Sequence, residues 1–266
     1  PYTTLFRSNV IIAVIDAGFY RANETPELRS IFQEGRVIAS KDFVEPYGNV
    51  FNEAEHGTNV LSIMASFLPD TFIGTAPKAK YILLRSENIY SEQIIEEYNW
   101  AKAAEFADSA GCDIINSSLG YSTFDAASQS HTYSDLTGNC TPISKACTMA
   151  ASKGMLVVNA AGNEGNSSWK YISAPADSYG ILSVGAVYSS SAPASFSSLG
   201  PSADGRIKPE VAALGASIPL VGGDGAIRVG NGTSFASPVV AGMAACLWQA
   251  FPEASAQEIR SAIIES

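Results

Sequence analysis

The chain has 266 residues, 46% of them apolar and 16% charged, and carries a formal charge of -10 from 16 Lys and Arg against 26 Asp and Glu. Apolar content this high excludes a disordered chain, and acidity spread without a basic run or stripe excludes a nucleic-acid partner. No stretch approaches the roughly 20 apolar residues of a membrane span, so no membrane partner is expected, and the length reads as one domain.

The opening Pro1 to Ser8 fits no structural pattern and matches the translation of a common sequencing adapter, so it is expected to be a non-native scar. The folded domain is expected over residues 9–266 and truncated at both ends, the second cut falling in the helical pattern of Ala254 to Ser266. Val10 to Ile15 is a continuous apolar run, and similar runs follow at Tyr81 to Leu84, Asp113 to Ile115 and Met155 to Val158. Such runs are strands buried on both faces, as in a parallel sheet. Between them lie helical patterns at Gly57 to Phe67, Ser91 to Ala110 and Pro142 to Lys153. The alternation predicts an α/β fold, a doubly wound, mainly parallel central sheet flanked by helices. After Tyr179 come short strands with Gly, Ser and Pro turns, then helices over about Ser234 to Ala250 and Ala254 to Ile264. Tyr121 to Asn139 lacks apolar periodicity and reads as a surface insertion.

Four segments carry candidate chemistry. Asp16 ends the first strand, placing a carboxylate at the carboxyl edge of the sheet, where open α/β folds build their sites. Of the two histidines, His131 lies in the polar insertion and reads as exposed and inert. His56 precedes Gly57 and opens a helix, which holds its imidazole at a fixed element end. Asn163, in Ala160-Ala161-Gly162-Asn163, offers an amide donor after another buried strand. Ser234, in Gly232-Thr233-Ser234-Phe235-Ala236-Ser237-Pro238, sits where flexible residues lead into a helix, so free backbone N–H groups at the positive end can hold a developing anion. Pro238 is expected in the first turn, where proline is tolerated. A serine hydroxyl needs a base such as His56 to become nucleophilic. Each residue alone has an ordinary structural explanation: a turn Asp, a helix-start His, a turn Asn, an N-cap Ser. Their weight comes from occurring together.

The motifs Ile15-Asp16-Ala17-Gly18, Glu55-His56-Gly57-Thr58-Asn59-Val60, Ala160-Ala161-Gly162-Asn163 and Gly232 to Pro238, in that order, resemble the subtilisin-like serine proteases (subtilases). The resemblance implies a serine endopeptidase working through an acyl-enzyme, with Asp16, His56 and Ser234 as the triad and Asn163 as oxyanion donor. It further implies that Ser118, Leu119 and Gly120 pair with the substrate main chain, that Ala160, Ala161 and Gly162 form a pocket wall, that Ser173 and Ala174 lie near the base of a roomy, apolar-leaning primary pocket, and that Thr233 supports the oxyanion hole. It implies protein or peptide substrates, secretion, a monomer, a propeptide in the precursor, and no cofactor required for the chemistry. Structural calcium is implied by the family but assigned to no residue, with Asp135, Asn139 and Glu164 as oxygen-bearing candidates. Ala17 departs from the Ser or Thr frequent in the family. An inactive binding module of the same fold is the alternative, yet no triad member is missing. An α/β-hydrolase esterase is disfavoured, because G-x-S-x-G is absent and the order of the three residues is opposite. Cys112, Cys140, Cys147 and Cys246 show no metal-ligand spacing. Cys112 and Cys246 read as buried thiols, and Cys140 with Cys147 as the pair that could bridge.

Overall fold

The computed structural model describes residues 10–266, so the scar expected at residues 1–8 lies outside the described residues. In chain order the elements are β1 (Ile11–Asp16), α1 (Arg29–Gln33), β2 (Val37–Asp42), α2 (His56–Ala65), β3 (Phe67–Leu68), β4 (Phe72–Ile73), β5 (Lys80–Arg85), α3 (Ile95–Ser109), β6 (Ile114–Ser117), α4 (Pro142–Ser152), β7 (Leu156–Ala160), β8 (Leu182–Val187), β9 (Val211–Leu214), β10 (Ala216–Val221), β11 (Ile227–Asn231), α5 (Thr233–Ala250) and α6 (Ala256–Glu265). Seven strands form one sheet in the order β2-β5-β1-β6-β7-β8-β9, every neighbouring pair parallel. β3 with β4, and β10 with β11, make separate antiparallel pairs.

The apolar runs become central strands because both of their faces are covered. In β1, Ile12 and Val14 turn to one core with Val60, Leu61 and Met64 of α2 and Ala236, Val240 and Ala241 of α5. Ala13 and Ile15 turn to a second core with Trp100 and Ala103 of α3 and Ile143 and Cys147 of α4. Each buried aliphatic side chain of this kind contributes about 1.5–3 kcal/mol. β2 carries no such run: Val-Ile-Ala-Ser-Lys-Asp is half polar, because it is an edge strand with one covered face. The chain leaves β1 for β2 and β5 on one side, then crosses to β6 through β9 on the other. The carboxyl ends of β1 and β6 therefore flank a topological switch point, where a crevice opens.

Three elements differ from expectation for local reasons. The helical pattern from Ser91 yields a helix only from Ile95. Residues 88–92 are captured by side chains instead: Asn88 Nδ2 donates to Ser91 Oγ at 3.1 Å, and the Glu92 N–H donates to Asp125 Oδ2 at 3.1 Å. Helix α5 begins at Thr233, which puts Pro238 inside it and past the first turn. Proline has no N–H to offer the Ser234 carbonyl four residues back, and the Ser118 hydroxyl donates to that carbonyl at 2.8 Å in its place. The segment 121–139 is not merely superficial, since Tyr121, Phe124 and Leu136 are buried. His131, expected to be exposed, has a side chain only 10% exposed and bonds through Nε2 to the buried Glu97 carboxylate, its ring edge-on to Phe124.

All four cysteines are free thiols: Cys112 and Cys147 are buried, Cys246 partly so, and Cys140 is exposed with its thiol donating to Asp135. Burial pushes the Cys112 and Cys147 thiols up to about 12, which keeps them protonated and inert.

Candidate active site

Asp16 is the last residue of β1 and fully buried, and His56 is the first residue of α2. The two meet because residue 57 is glycine. A Cβ there would stand 2.3 Å from the Gly18 carbonyl oxygen and 3.0 Å from Asp16 Cβ, so any larger residue would push the helix start away from the strand end. As built, His56 Nδ1 lies 2.8 Å from Asp16 Oδ1, which also accepts the Ala17 N–H at 2.8 Å. The other carboxylate oxygen, Oδ2, is buried without a hydrogen-bond partner. Asp16 is therefore held from one side, with its charge directed at the imidazole. Desolvation pulls His56 down, but the Asp16 charge, their hydrogen bond and the Glu87 charge outweigh it and push the imidazole up to about 9. Phe235 packs against the His56 ring with centroids 5.7 Å apart.

Ser234 is the second residue of α5 and only partly buried. Its hydroxyl donates to the Ser118 carbonyl at 3.2 Å and makes no hydrogen bond to His56, although both side chains line one cleft of about 360 Å³. The start of the helix is fastened to β6 by a chain of polar contacts. Ser118 Oγ donates to the Ser234 carbonyl, Asn116 Nδ2 donates to Ser118 Oγ at 3.3 Å, and Ser237 Oγ donates to Asn116 Oδ1 at 2.9 Å.

Asn163 is exposed and is oriented by Thr233. Its Oδ1 accepts from the Thr233 N–H at 2.8 Å and from Thr233 Oγ1 at 3.1 Å, which fixes the amide with Oδ1 inward and leaves Nδ2 as a free donor on the cleft side. Thr233 Oγ1 in turn accepts the Gly162 N–H at 3.1 Å. Gly162 has a φ of 111°, and a Cβ there would stand 2.7 Å from Ser198 Oγ and 3.0 Å from Ser173 Oγ, so the wall requires glycine.

Of the residues expected to bind substrate, Ser118, Leu119, Gly120, Ala160, Gly162, Ser173 and Thr233 line the cleft. Ala161 and Ala174 are fully buried behind it. Ala161 passes its carbonyl to the Ser173 N–H, and Ala174 pairs with Tyr121 as an isolated bridge. Sequence reading missed Glu87, Ile89 and Glu92, which also line the cleft, and it took Glu164, another cleft residue, only as a calcium candidate. Glu87 follows the end of β5, the strand beside β1, so the logic that singled out Asp16 applies to it too. Burial, then the Asp16 charge, pushes its carboxyl up to about 8. Asp135 caps a short helical turn by accepting the Thr132 N–H at 2.7 Å. Among the described residues no group of three His, Cys, Asp or Glu side chains is placed to hold a metal ion.

Comparison with known proteins places the chain in a family. The family model Peptidase_S8, the subtilase family, matches residues 7–266, and the chain belongs to that family. It is 32% identical over 262 residues to subtilisin NAT of Bacillus subtilis subsp. natto, covering 95% of this chain and 59% of that protein. It is 30% identical to serine protease AprX of Bacillus subtilis, covering 97% of this chain and 61% of that one, so the chain spans about three fifths of these relatives. The subtilisin of Bacillus pumilus is 31% identical over 95% of this chain and 82% of its own length. Among solved structures, a cold adapted subtilisin-like serine proteinase superposes with a TM-score of 0.74 at 22% identity, covering 96% of this chain and 80% of that one, a likeness of fold. MycP1 with its N-terminal propeptide removed gives 0.71 at 26% identity, covering 95% and 81%.

Proposed function

We propose that the chain is the catalytic domain of a serine endopeptidase that hydrolyses peptide bonds through an acyl-enzyme. The observation that carries this reading is the 2.8 Å bond between His56 Nδ1 and the buried Asp16, in a cleft that also exposes Ser234 at a helix start. An extended peptide pairs with the edge at Ser118 to Gly120. The Ser234 hydroxyl, turned from the Ser118 carbonyl toward His56, gives its proton to Nε2 as its oxygen attacks the scissile carbonyl carbon. Asp16 holds the proton on Nδ1 and stabilises the imidazolium that forms. Asn163 Nδ2 and the Ser234 N–H donate to the oxyanion, the amide having been oriented in advance by Thr233. His56 then protonates the leaving amine, and water, activated by the same imidazole, releases the acid product. Protein substrates, secretion, a propeptide in the precursor and a monomeric state belong to the same reading, as does a chemistry that needs no cofactor.

The test is labelling of the folded chain by a fluorophosphonate, comparing wild type with Ser234→Ala and His56→Ala. Labelling lost in the first and sharply reduced in the second is expected. A folded wild type that does not label refutes the enzyme reading in favour of a binding module of the same fold.

A further inference from the structure

The cleft has an acidic wall with no countercharge. Glu87 and Glu92 line it together with His56 and Ser173, and among the described residues no Lys or Arg lines it. Behind them lie Glu96, which is 2% exposed, and Asp125, whose carboxylate holds the Glu92 N–H. Among the described residues none of these four carboxylates takes part in an ion pair. One buried polar atom beside this wall, Glu96 Oε2, lacks a hydrogen-bond partner, and the buried Tyr121 hydroxyl has the Glu87 carboxyl as its side-chain partner. Elsewhere two of the buried acidic groups have a cation, Asp42 with Arg85 at 2.9 Å and Glu210 with Lys208 at 2.7 Å. Burial and like charge hold the Glu87, Glu92 and Glu96 carboxyls toward their neutral form, a cation beside them favours the charged form, and the location of Glu87 and Glu92 on the cleft points to a cation that arrives with the ligand.

We propose that the Glu87 and Glu92 wall is a subsite for a lysine or arginine side chain, belonging to the residue two positions before the cleaved bond. The proposal rests on the peptidase reading and deepens it by naming a substrate class. The position follows from strand geometry. Successive side chains of an extended peptide point to opposite sides. The residue that supplies the scissile carbonyl turns toward Gly120, Gly162 and Ser173, where the two glycines leave room for it. The preceding residue turns the other way, toward His56 and Glu87, and Glu87 is close enough for His56 and Asp16 to feel its charge. Glu87 itself is fixed from behind, because Arg85 Nε donates to its backbone carbonyl at 3.2 Å while the guanidinium is held by Asp42.

Burial raises the carboxyls of Glu87, Glu92 and Glu96, each also facing like charge: Asp16, Glu92 and Glu96 for Glu87, Asp125 for Glu92, and Glu92 with Asp125 for Glu96. With His56 and Tyr121 as its remaining titratable neighbours, Glu87 is protonated below about 8 and charged above it. Selectivity for a basic side chain therefore strengthens as pH rises through that value, while lysine and arginine keep their charge.

The experiment measures kcat/KM for succinyl-Ala-Ala-Xaa-Phe-p-nitroanilide with Xaa as Lys, Leu or Glu, between pH 7 and 9.5, each rate divided by the sites titrated with a fluorophosphonate. The expected result is Lys over Leu by about tenfold at pH 9, Leu over Glu, and a Lys preference that shrinks in 1 M NaCl. Glu87→Gln brings the Lys to Leu ratio to within about twofold of one, and Glu92→Gln reduces it by less. A wild type that labels but cleaves the Leu peptide as fast as the Lys peptide overturns the subsite alone. A preference unmoved in both variants overturns the assignment to these residues. A folded wild type that does not label overturns the peptidase reading and this inference with it.

Discussion

Replacing Ser118 by Ala tests how the helix that carries Ser234 is held. The Ser118 hydroxyl donates to the Ser234 carbonyl at 2.8 Å, an acceptor that the helix cannot satisfy because Pro238 has no N–H. Ser118→Ala strands that carbonyl, which costs about 1–3 kcal/mol for a buried acceptor. Ser234 is only partly buried, so water relieves some of the loss and the lower half of that range applies. For a domain of this size about 1–2 kcal/mol lowers Tm by about 2–8 °C. The same substitution also removes the acceptor of the Asn116 amide, so a single variant does not isolate the carbonyl. A double-mutant cycle with Pro238→Ala does, because an alanine at that position restores the backbone donor four residues after Ser234. Ser118→Ala should cost at least about 1 kcal/mol less in the Pro238→Ala background, read from denaturant unfolding midpoints at constant m. Equal costs in the two backgrounds would refute the idea that Ser118 substitutes for the missing helix bond.

Two further outcomes follow from partners already described. Arg85→Ala leaves the carboxylate of Asp42, 1% exposed, without its partner and should destabilise the chain by about 3–5 kcal/mol in chemical denaturation; a loss below 1 kcal/mol would mean that the buried pair contributes little. Asn163→Ala removes the amide fixed by Thr233 and should lower kcat by about 10² to 10³ with KM little changed, whereas an equal rise in KM alone would assign Asn163 to ground-state binding.

The legible parts of this fold are those whose environment is set by adjacent sequence. β1, β5, β6 and β7 were readable because helices cover both faces, which forces uninterrupted apolar runs. Asp16, His56, Asn163 and Ser234 were readable as candidates because each stands at or just beyond an element end, with a glycine nearby marking a close approach. What escaped depends on pairings distant in the chain. Glu87 matters because β5 lies next to β1, a fact of strand order rather than of local pattern. β2 was hidden by the polar face of an edge strand, and His131 by its partner Glu97, 34 residues away on α3. The α3 start was misread because Asn88 and Asp125 take residues that the apolar spacing would have given to the helix.

The Glu87 charge acts on His56, the proposed general base, and that gives the expected pH profile a substrate dependence. In the proposed mechanism His56 must be neutral to take the Ser234 proton, so activity should be lost as pH falls below its value, which the Asp16 and Glu87 charges hold at about 9 against burial. The acidic limb of kcat/KM, a property of the free enzyme, should therefore lie well above the 6.5 of an ordinary imidazole, and Glu87→Gln should move it down. A lysine seated against Glu87 neutralises the charge that raises His56, as the substitution does, so the limb of kcat, a property of the complex, should sit lower for the Lys peptide than for the Leu peptide. The cation then supplies more than affinity, because above about 8, where Glu87 is charged, its arrival removes the smaller of the two charges that raise His56 and leaves that of Asp16. Profiles of kcat and kcat/KM for both peptides decide this. Coincident kcat limbs, or a limb unmoved in Glu87→Gln, would show that the wall and the base titrate independently.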